Sequence, residues 1–408
     1  MNKQHKLNIR EVLGRNPVHP FPARMAPGIA LDIIPSTKEP IRILDPMMGS
    51  GTVLAVARSK GHRAIGVDMD PLAVLISRVW TTPIDAEEVC EKAKEVLSKA
   101  LQRSRTITTY SAYPTSSDNE TRDFVDYWFD TAARKQLASL AQTIERIKND
   151  RVRDALWCAF SRLIITKANG ASLAMDLSHS RPHKSFDKAP AMPFDHFLTA
   201  VDHVVRNCIG NKDEHRGPST TIYLADARKL PIKSGSIDLV LTSPPYLNAI
   251  DYMRCSKFSL VWMKSNIGNL RQIRSNSVGA ELKSTAASGN EDVKTVISEM
   301  KLTPKLQPKY TAMLARYVDD MMQSVKETER VLSRGGKAVY VVGENTVRGT
   351  FIPNAKLVSA VAELAGLKFD SKYSRKLPEN RRYLPPPTQG SAGLNGRMRR
   401  EVVLTFTK

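Results

Sequence analysis

Four consecutive residues, Ser243-Pro244-Pro245-Tyr246, bring together a hydroxyl, two rings that remove backbone N–H groups and one aromatic face. They follow directly on the apolar run Ile237-Asp238-Leu239-Val240-Leu241, which reads as a buried strand. An amino group on an aromatic ring is a poor nucleophile, because its lone pair is delocalised into the ring. Acceptors that bond both of its hydrogens draw the nitrogen toward a tetrahedral, attacking geometry. The Ser243 hydroxyl oxygen and the Pro244 carbonyl are such acceptors, the prolines keep the loop rigid, and the Tyr246 ring offers a face on which another flat ring can stack. The bland alternative is a proline-rich turn closing a strand.

A second constellation lies upstream. Ile41-Arg42-Ile43-Leu44 reads as a strand, Asp45-Pro46-Met47-Met48-Gly49-Ser50-Gly51-Thr52 as a glycine turn, and the residues from Val53 to Ala57 as a helix. Gly61 closes that helix, and Arg63 to Val67 forms a further strand ending at Asp68-Met69-Asp70-Pro71. In open α/β sheets ligands bind beyond the carboxyl ends of strands, where glycine lets the backbone approach closely. A nicotinamide site loses ground because Leu54 stands where a third glycine would be. A nucleoside triphosphate loop fails because Thr52, not lysine, follows Gly51. Asp68 is a carboxylate at the tip of the second strand, whereas Asp70 before Pro71 also reads as a helix cap. Asp226-Ala227-Arg228 ends another strand, Thr221 to Leu224.

These elements need a frame. Asp85 with Glu88 signals a helix start, with Val89, Ala93, Val96, Leu97 and Ala100 on one face. Helical patterns follow near 124–148, 151–168 and 195–209, with a Ser- and His-containing segment between, Ser178 to Lys184. Residues 264–308 are polar and weakly periodic, and read as a second insertion or long loop. A helix near 310–332, the run Ala338 to Val342, a helix near 354–365 and strands near 367–373 and 401–407 complete the alternation. The expected class is α/β, a doubly wound, mostly parallel sheet of about seven strands with a helical insertion. The division reads as 1–84 with the glycine turn, 85–215 as the insertion and candidate target-recognition region, and 216–408 with the Ser-Pro-Pro-Tyr loop.

The pair D-P-x-x-G-S-G-T and G-V-D-x-D-P resembles the first two motifs of class I S-adenosyl-L-methionine-dependent methyltransferases. Ser243 to Tyr246 resembles the S-P-P-Y signature of the DNA amino-methyltransferases, the cytosine-N4 and adenine-N6 family. His19-Pro20-Phe21-Pro22-Ala23-Arg24-Met25 resembles their N-terminal motif, which closes over the methionine moiety. The resemblance implies a Rossmann-like sheet and S-adenosyl-L-methionine held by Phe21, Asp45, Gly49, Gly51, Thr52, Asp68 and Asp226. Within that set Asp68 would take the ribose and Asp226 the adenine amino group. It implies catalysis by Ser243, Pro244, Pro245 and Tyr246 on double-stranded DNA with the target base flipped out. Cytosine N4 is favoured over adenine N6 only because the Ser form of the signature leans that way. A cognate restriction endonuclease is the further partner it suggests. The alternatives are an RNA amino-methyltransferase and a DNA-binding protein without activity. A carbon-5 cytosine enzyme would need a Pro-Cys pair, and none of Cys90, Cys158, Cys208 or Cys255 follows a proline.

Composition agrees with a nucleic-acid partner. Lys and Arg total 61 against 41 Asp and Glu, a net charge of +20 over 408 residues, and such an excess sets up a field suited to polyanions. Between Lys372 and Arg400 stand Lys372, Arg375, Lys376, Arg381, Arg382, Arg397, Arg399 and Arg400, with Tyr373 and Tyr383 interleaved, as phosphate contacts would require. The four cysteines form no C-x-x-C pair. No signal-peptide core and no spanning apolar run is present, so the expectation is a cytoplasmic, nucleoid-associated protein without a membrane segment. His179 and His183 lack a third ligand, and no metal is expected.

Overall fold

A computed structural model describes residues 7–21, 25–179, 182–210, 218–247, 251–279, 290–302, 306–347, 349–376 and 400–408. Two short helices lead in, α1 (Ile9–Leu13) and α2 (Pro27–Ile33), followed by β1 (Arg42–Asp45), α3 (Thr52–Ser59), β2 (Arg63–Asp68) and α4 (Pro71–Thr81). Gly51 has φ +82°, a left-handed conformation that turns the chain from β1 into α3. Asp70 caps α4 by accepting from the Leu72 N–H, and Pro71 takes the first turn, where no N–H is needed. Gly66 in β2 faces the turn so closely that a Cβ would fall 2.3 Å from Met48 Sδ and 2.6 Å from Leu54 Cδ2.

The helical insertion opens after β3 (Pro83–Ile84). It contains α5 (Ala86–Ser104), α6 (Asn119–Trp128), α7 (Thr131–Ile144), α8 (Asp150–Ile164), the pair β4 (Ala174–Met175) and β5 (His183–Lys184), and α9 (Pro193–Asn207). It ends at β6 (Ile209–Gly210). β3 and β6 pair in parallel, so the insertion leaves and rejoins the fold at one place. The pattern expected as one helix over 124–148 is two, because Asp130 caps α7 by accepting from the Ala132 and Ala133 N–H groups. Val89, Leu137, Leu140, Leu156, Phe160 and Phe197 form the insertion's core, which continues into Phe258 and Trp262 beyond the Ser-Pro-Pro-Tyr loop.

The chain then returns through β7 (Thr220–Leu224), β8 (Ile237–Thr242), α10 (Met253–Leu260), α11 (Ile267–Asn276), α12 (Glu291–Glu299) and α13 (Pro308–Val331). β9 (Leu332–Gly343), the hairpin β10 (Asn345–Val347) and β11 (Thr350–Ile352), α14 (Asn354–Leu364), β12 (Lys368–Lys376) and β13 (Arg400–Thr407) complete it. The stretch 264–308, expected as a second insertion or long loop, is therefore partly helical. Single buried residues such as Leu270 in α11, and Val293 and Val296 in α12, give each helix a dock too narrow to register as periodicity.

Seven strands form the sheet in the order β12-β13-β9-β8-β1-β2-β7. All neighbours are parallel except β13, which runs antiparallel to β9 and β12. This is the doubly wound, mostly parallel seven-stranded sheet that the sequence leads one to expect. The chain winds outward from β1 through β2 and β7 on one side, and from β8 through β9 on the other, so the switch point falls between β1 and β8. Central strands are apolar on both faces, as parallel strands covered by helices must be. Among the described residues no helix is long and apolar enough to cross a membrane.

Candidate active site

At the tip of β1 the glycine turn is tied to β2. Gly49 (φ +50°) donates its N–H to Asp68 Oδ2 at 2.9 Å, Met48 donates to the Val67 carbonyl at 3.0 Å, and the Ser77 hydroxyl donates to the Gly49 carbonyl at 2.9 Å. Asp68 Oδ1 meanwhile accepts from the Asp70 N–H. Three carboxylates crowd this edge. Burial raises the Asp45 carboxyl to about 7 against the opposing hydrogen bonds from Thr242 and Met47. Burial likewise lifts Asp70 to about 7, although the Ser256 hydroxyl donates to it at 2.6 Å, and it raises Asp68.

The turn also carries unspent polar capacity. The Ser50 and Thr52 hydroxyls are buried and find no hydrogen-bond partner among the described residues, a condition that costs about 1–3 kcal/mol per group unless a ligand meets it. Phe21, 4% exposed, lies over the turn: a Cβ on Gly49 would meet its Cε1 at 3.9 Å. Its ring stacks on Tyr252 at 5.7 Å. Buried acceptors for an ammonium group, a carboxylate at the second strand tip for a diol, a glycine turn and an aromatic cover together suit S-adenosyl-L-methionine.

Asp226 follows β7, where the sequence places it. Its two oxygens are forked by its neighbour Arg228, whose Nε lies 3.0 and 3.1 Å from them, with a second guanidinium nitrogen at 2.7 Å. Arg228 also donates to Asp320 of α13 at 2.5 Å and to the Asn276 carbonyl at 2.6 Å. Asp226 is thus a clamped acceptor, with only its remaining lone pairs turned to other donors.

The Ser-Pro-Pro-Tyr loop stands at the tip of β8, the strand beside β1. Thr242 Oγ1 donates to Asp45 Oδ1 at 2.7 Å, so the two corners share a hydrogen bond. Ser243 Oγ donates to the Val341 carbonyl at 3.0 Å. Its proton is committed there, and its lone pairs are left to accept. Tyr246 Oη is 3.4 Å from Ser243 Oγ, and burial, with the Glu401 charge adding to it, holds its phenol well above the usual range and therefore neutral.

The loop is held from outside. Tyr317 of α13 donates its hydroxyl to the Pro245 carbonyl at 2.9 Å, and the Asn345 amide donates to the Leu247 carbonyl. None of Tyr317, Asp320, Ser256, Asn345 or the Val341 carbonyl carries a sequence signal; each lies far along the chain from what it holds. Downstream, Asp251 pairs with Arg254 at 3.2 Å and with Arg274.

The basic segment needs correction at one residue. Arg375, expected at phosphate, is 7% exposed and donates to Glu401 at 2.8 and 2.7 Å, because its strand neighbour across the β12–β13 ladder is that carboxylate. Lys376 and Arg400 face each other at the ladder's end, while Arg381, Arg382, Tyr383, Arg397 and Arg399 fall outside the described residues.

Among the described residues no cluster of three or more His, Cys, Asp or Glu could hold a metal ion. No family model matches the chain. It is similar to the type II methyltransferase M.MvaI of Kocuria varians, 26% identical over 405 residues, with 92% of this chain and 86% of that protein covered. It is also similar to the type II methyltransferase M.BsoBI of Geobacillus stearothermophilus, 24% identical over 57% of this chain and 49% of that protein. M.AvaI of Nostoc sp. matches at 22% over 60% and 53%. The chain thus spans about half the length of the last two. Among solved structures, a SAM-dependent methyltransferase from Methanosarcina mazei aligns at 10% identity and a TM-score of 0.33, covering 91% of this chain and 94% of that one.

Proposed function

We propose that this chain, which belongs with the S-adenosyl-L-methionine-dependent DNA methyltransferases, methylates an exocyclic amino nitrogen of a base in double-stranded DNA, cytosine N4 in preference to adenine N6. The observation that carries this reading is the Thr242–Asp45 hydrogen bond, which makes the glycine corner and the Ser-Pro-Pro-Tyr corner neighbours at the switch point.

Bound S-adenosyl-L-methionine supplies a methyl group on a sulfonium centre. The chain's own residues do the rest. Gly49, Gly51, Ser50 and Thr52 line the methionine end with Phe21 above it, Asp45 faces its cationic groups, Asp68 accepts from the ribose hydroxyls, and the Asp226–Arg228 fork marks the adenine end. Ser243 Oγ, with its proton spent on Val341, and the Pro244 carbonyl accept the two amino hydrogens of the base. Tyr246 stacks on the base once it leaves the duplex, since the target nitrogen is out of reach inside the helix. The insertion, residues 85–215, is the part assigned to reading the target.

Preference for cytosine rests on the Ser form of the loop, which the resemblance links to N4. Incubation with tritiated cofactor and either duplex DNA or total tRNA, followed by digestion to nucleosides and mass spectrometry, tests substrate and base together. Label in N4-methylcytosine of DNA is expected. Label in tRNA alone, or in a carbon-methylated base, would overturn the reading.

A further inference from the structure

A proline pair makes a rigid loop at a cost, because neither residue has an N–H to anchor the turn and its carbonyls must find donors elsewhere. The Pro245 carbonyl finds one in Tyr317, a fully buried side chain of α13. Three residues further along the same helix, about 4.5 Å in rise, Asp320 is 4% exposed and accepts from Arg228 at 2.5 Å, the guanidinium that forks Asp226. Asp320 also accepts from the Gly279 N–H at 3.3 Å. Gly279 has φ +75°, and a Cβ there would stand 3.2 Å from Tyr317 Cδ2.

One turn of α13 therefore bonds to both ends of the cleft: the base-holding loop after β8 and the adenine-side clamp after β7, with β1 and β2 between them in the sheet. Packing α13 onto the sheet needs only apolar contacts, which Leu314, Val318, Met321 and Val325 already supply. A buried hydroxyl and a buried carboxylate, each spent on one of the two corners, do something else.

We propose that α13 is the strut that fixes the distance between the two substrates, with Tyr317 a positioning residue for the Pro244 carbonyl and Asp320 a positioning residue for the Asp226–Arg228 clamp. The strut makes the corners share one element, so occupancy of the cofactor site and affinity for the base are linked, and the linkage is reciprocal. This rests on the function proposed above.

The test compares the full chain with Tyr317→Phe, Asp320→Asn and the double variant, on plasmid DNA and on a duplex carrying a site mapped by sequencing that plasmid after methylation. Tyr317→Phe removes one hydroxyl. The expected result is a kcat about tenfold lower, the size of one lost hydrogen bond, with the KM for S-adenosyl-L-methionine within about twofold of wild type on the same grounds. In wild type, S-adenosylhomocysteine should tighten duplex binding several-fold, and in Asp320→Asn that ratio should fall toward one. The double variant should lose less than the product of the single losses, because both act on one strut. Wild-type kcat in Tyr317→Phe, or an unaltered ratio in Asp320→Asn, would overturn the proposal, as would strictly multiplicative losses. If Tyr317→Phe does not fold, Gly279→Ala, whose Cβ presses the same ring, must lower kcat or the strut is wrong. Failure of the wild type itself to label DNA would instead count against the function.

Discussion

The glycine corner is stitched together by its neighbours in sequence, whereas the Ser-Pro-Pro-Tyr corner is hung from residues far away. Asp68 reaches back 19 positions to Gly49, and Met48 and Ser77 bond within the same βαβ unit or its following helix; the long-range bonds here are Thr242 to Asp45, which joins the two corners, and Ser256 to Asp70. Ser243, by contrast, leans on Val341 98 positions on, Leu247 on Asn345 at the same separation, and Pro245 on Tyr317 72 positions on. A glycine turn has N–H groups to spend locally, and a proline turn has none. The first corner can form with its supersecondary unit; the second exists only once β9 and α13 are in place.

If the comparison is right, damage to the glycine corner should appear in cofactor binding and damage to the proline corner in kcat. The largest effect is expected from Asp68→Ala, which removes the proposed diol acceptor and the anchor of Gly49 together. Charge-assisted hydrogen bonds contribute about 1.5–3 kcal/mol each, so calorimetry should show cofactor affinity weaker by about a hundredfold or more; an unchanged affinity would sink the ribose assignment. Ser243→Ala should lower kcat on the order of a hundredfold, as loss of one oriented polar group in a catalytic pocket does. Its cofactor affinity should stay at the wild-type value, and a fall there would blur the division drawn above.

Gly51→Ala is a milder blow to the first corner. Its φ of +82° strains any side chain, and the new Cβ would sit 2.8 Å from Ser77 Oγ, so a penalty of about 1–2 kcal/mol should weaken cofactor binding by about tenfold at unchanged kcat.

The smallest expected effect is a pH dependence confined to the glycine corner. Asp45 and Asp70 are raised to about 7 from an ordinary 3.8, so the folded chain holds protons that the unfolded chain has released. The stability they contribute is complete below about pH 4 and is lost as pH rises through about 7. The melting temperature should therefore decline from pH 5 to pH 8, and Asp45→Asn should flatten part of that decline. A cationic cofactor favours the ionised carboxylates, so its affinity should strengthen over the same interval. Cofactor binding that is flat in pH, or an Asp45→Asn decline as steep as the wild type, would remove Asp45 from this account.

How much of this was legible follows the same divide. The strand, turn and helix around Gly49 and Gly51, the cap at Asp70 and the loop at Ser243 could be read off because each depends on residue types within a few positions. Asp226 was legible as an acidic strand end but not as part of a braced clamp, since the contact that holds its neighbour Arg228 to Asp320 spans 92 positions. Arg375 looked like any lysine or arginine of the basic segment until strand pairing set Glu401 opposite it. The helices α11 and α12 escaped notice because each buries only one or two side chains.

The sequence by itself determined that a glycine turn ends one strand, that a hydroxyl, two prolines and an aromatic ring end another, and that strands and helices alternate around them. Those properties follow from backbone freedom and hydrophobic period, which are local. Only the tertiary structure decided that β1 and β8 are neighbours, that Thr242 and Asp45 touch, and that α13 braces both ends of the cleft. Burial and long-range hydrogen bonds belong to pairs of residues that the chain keeps far apart until it folds.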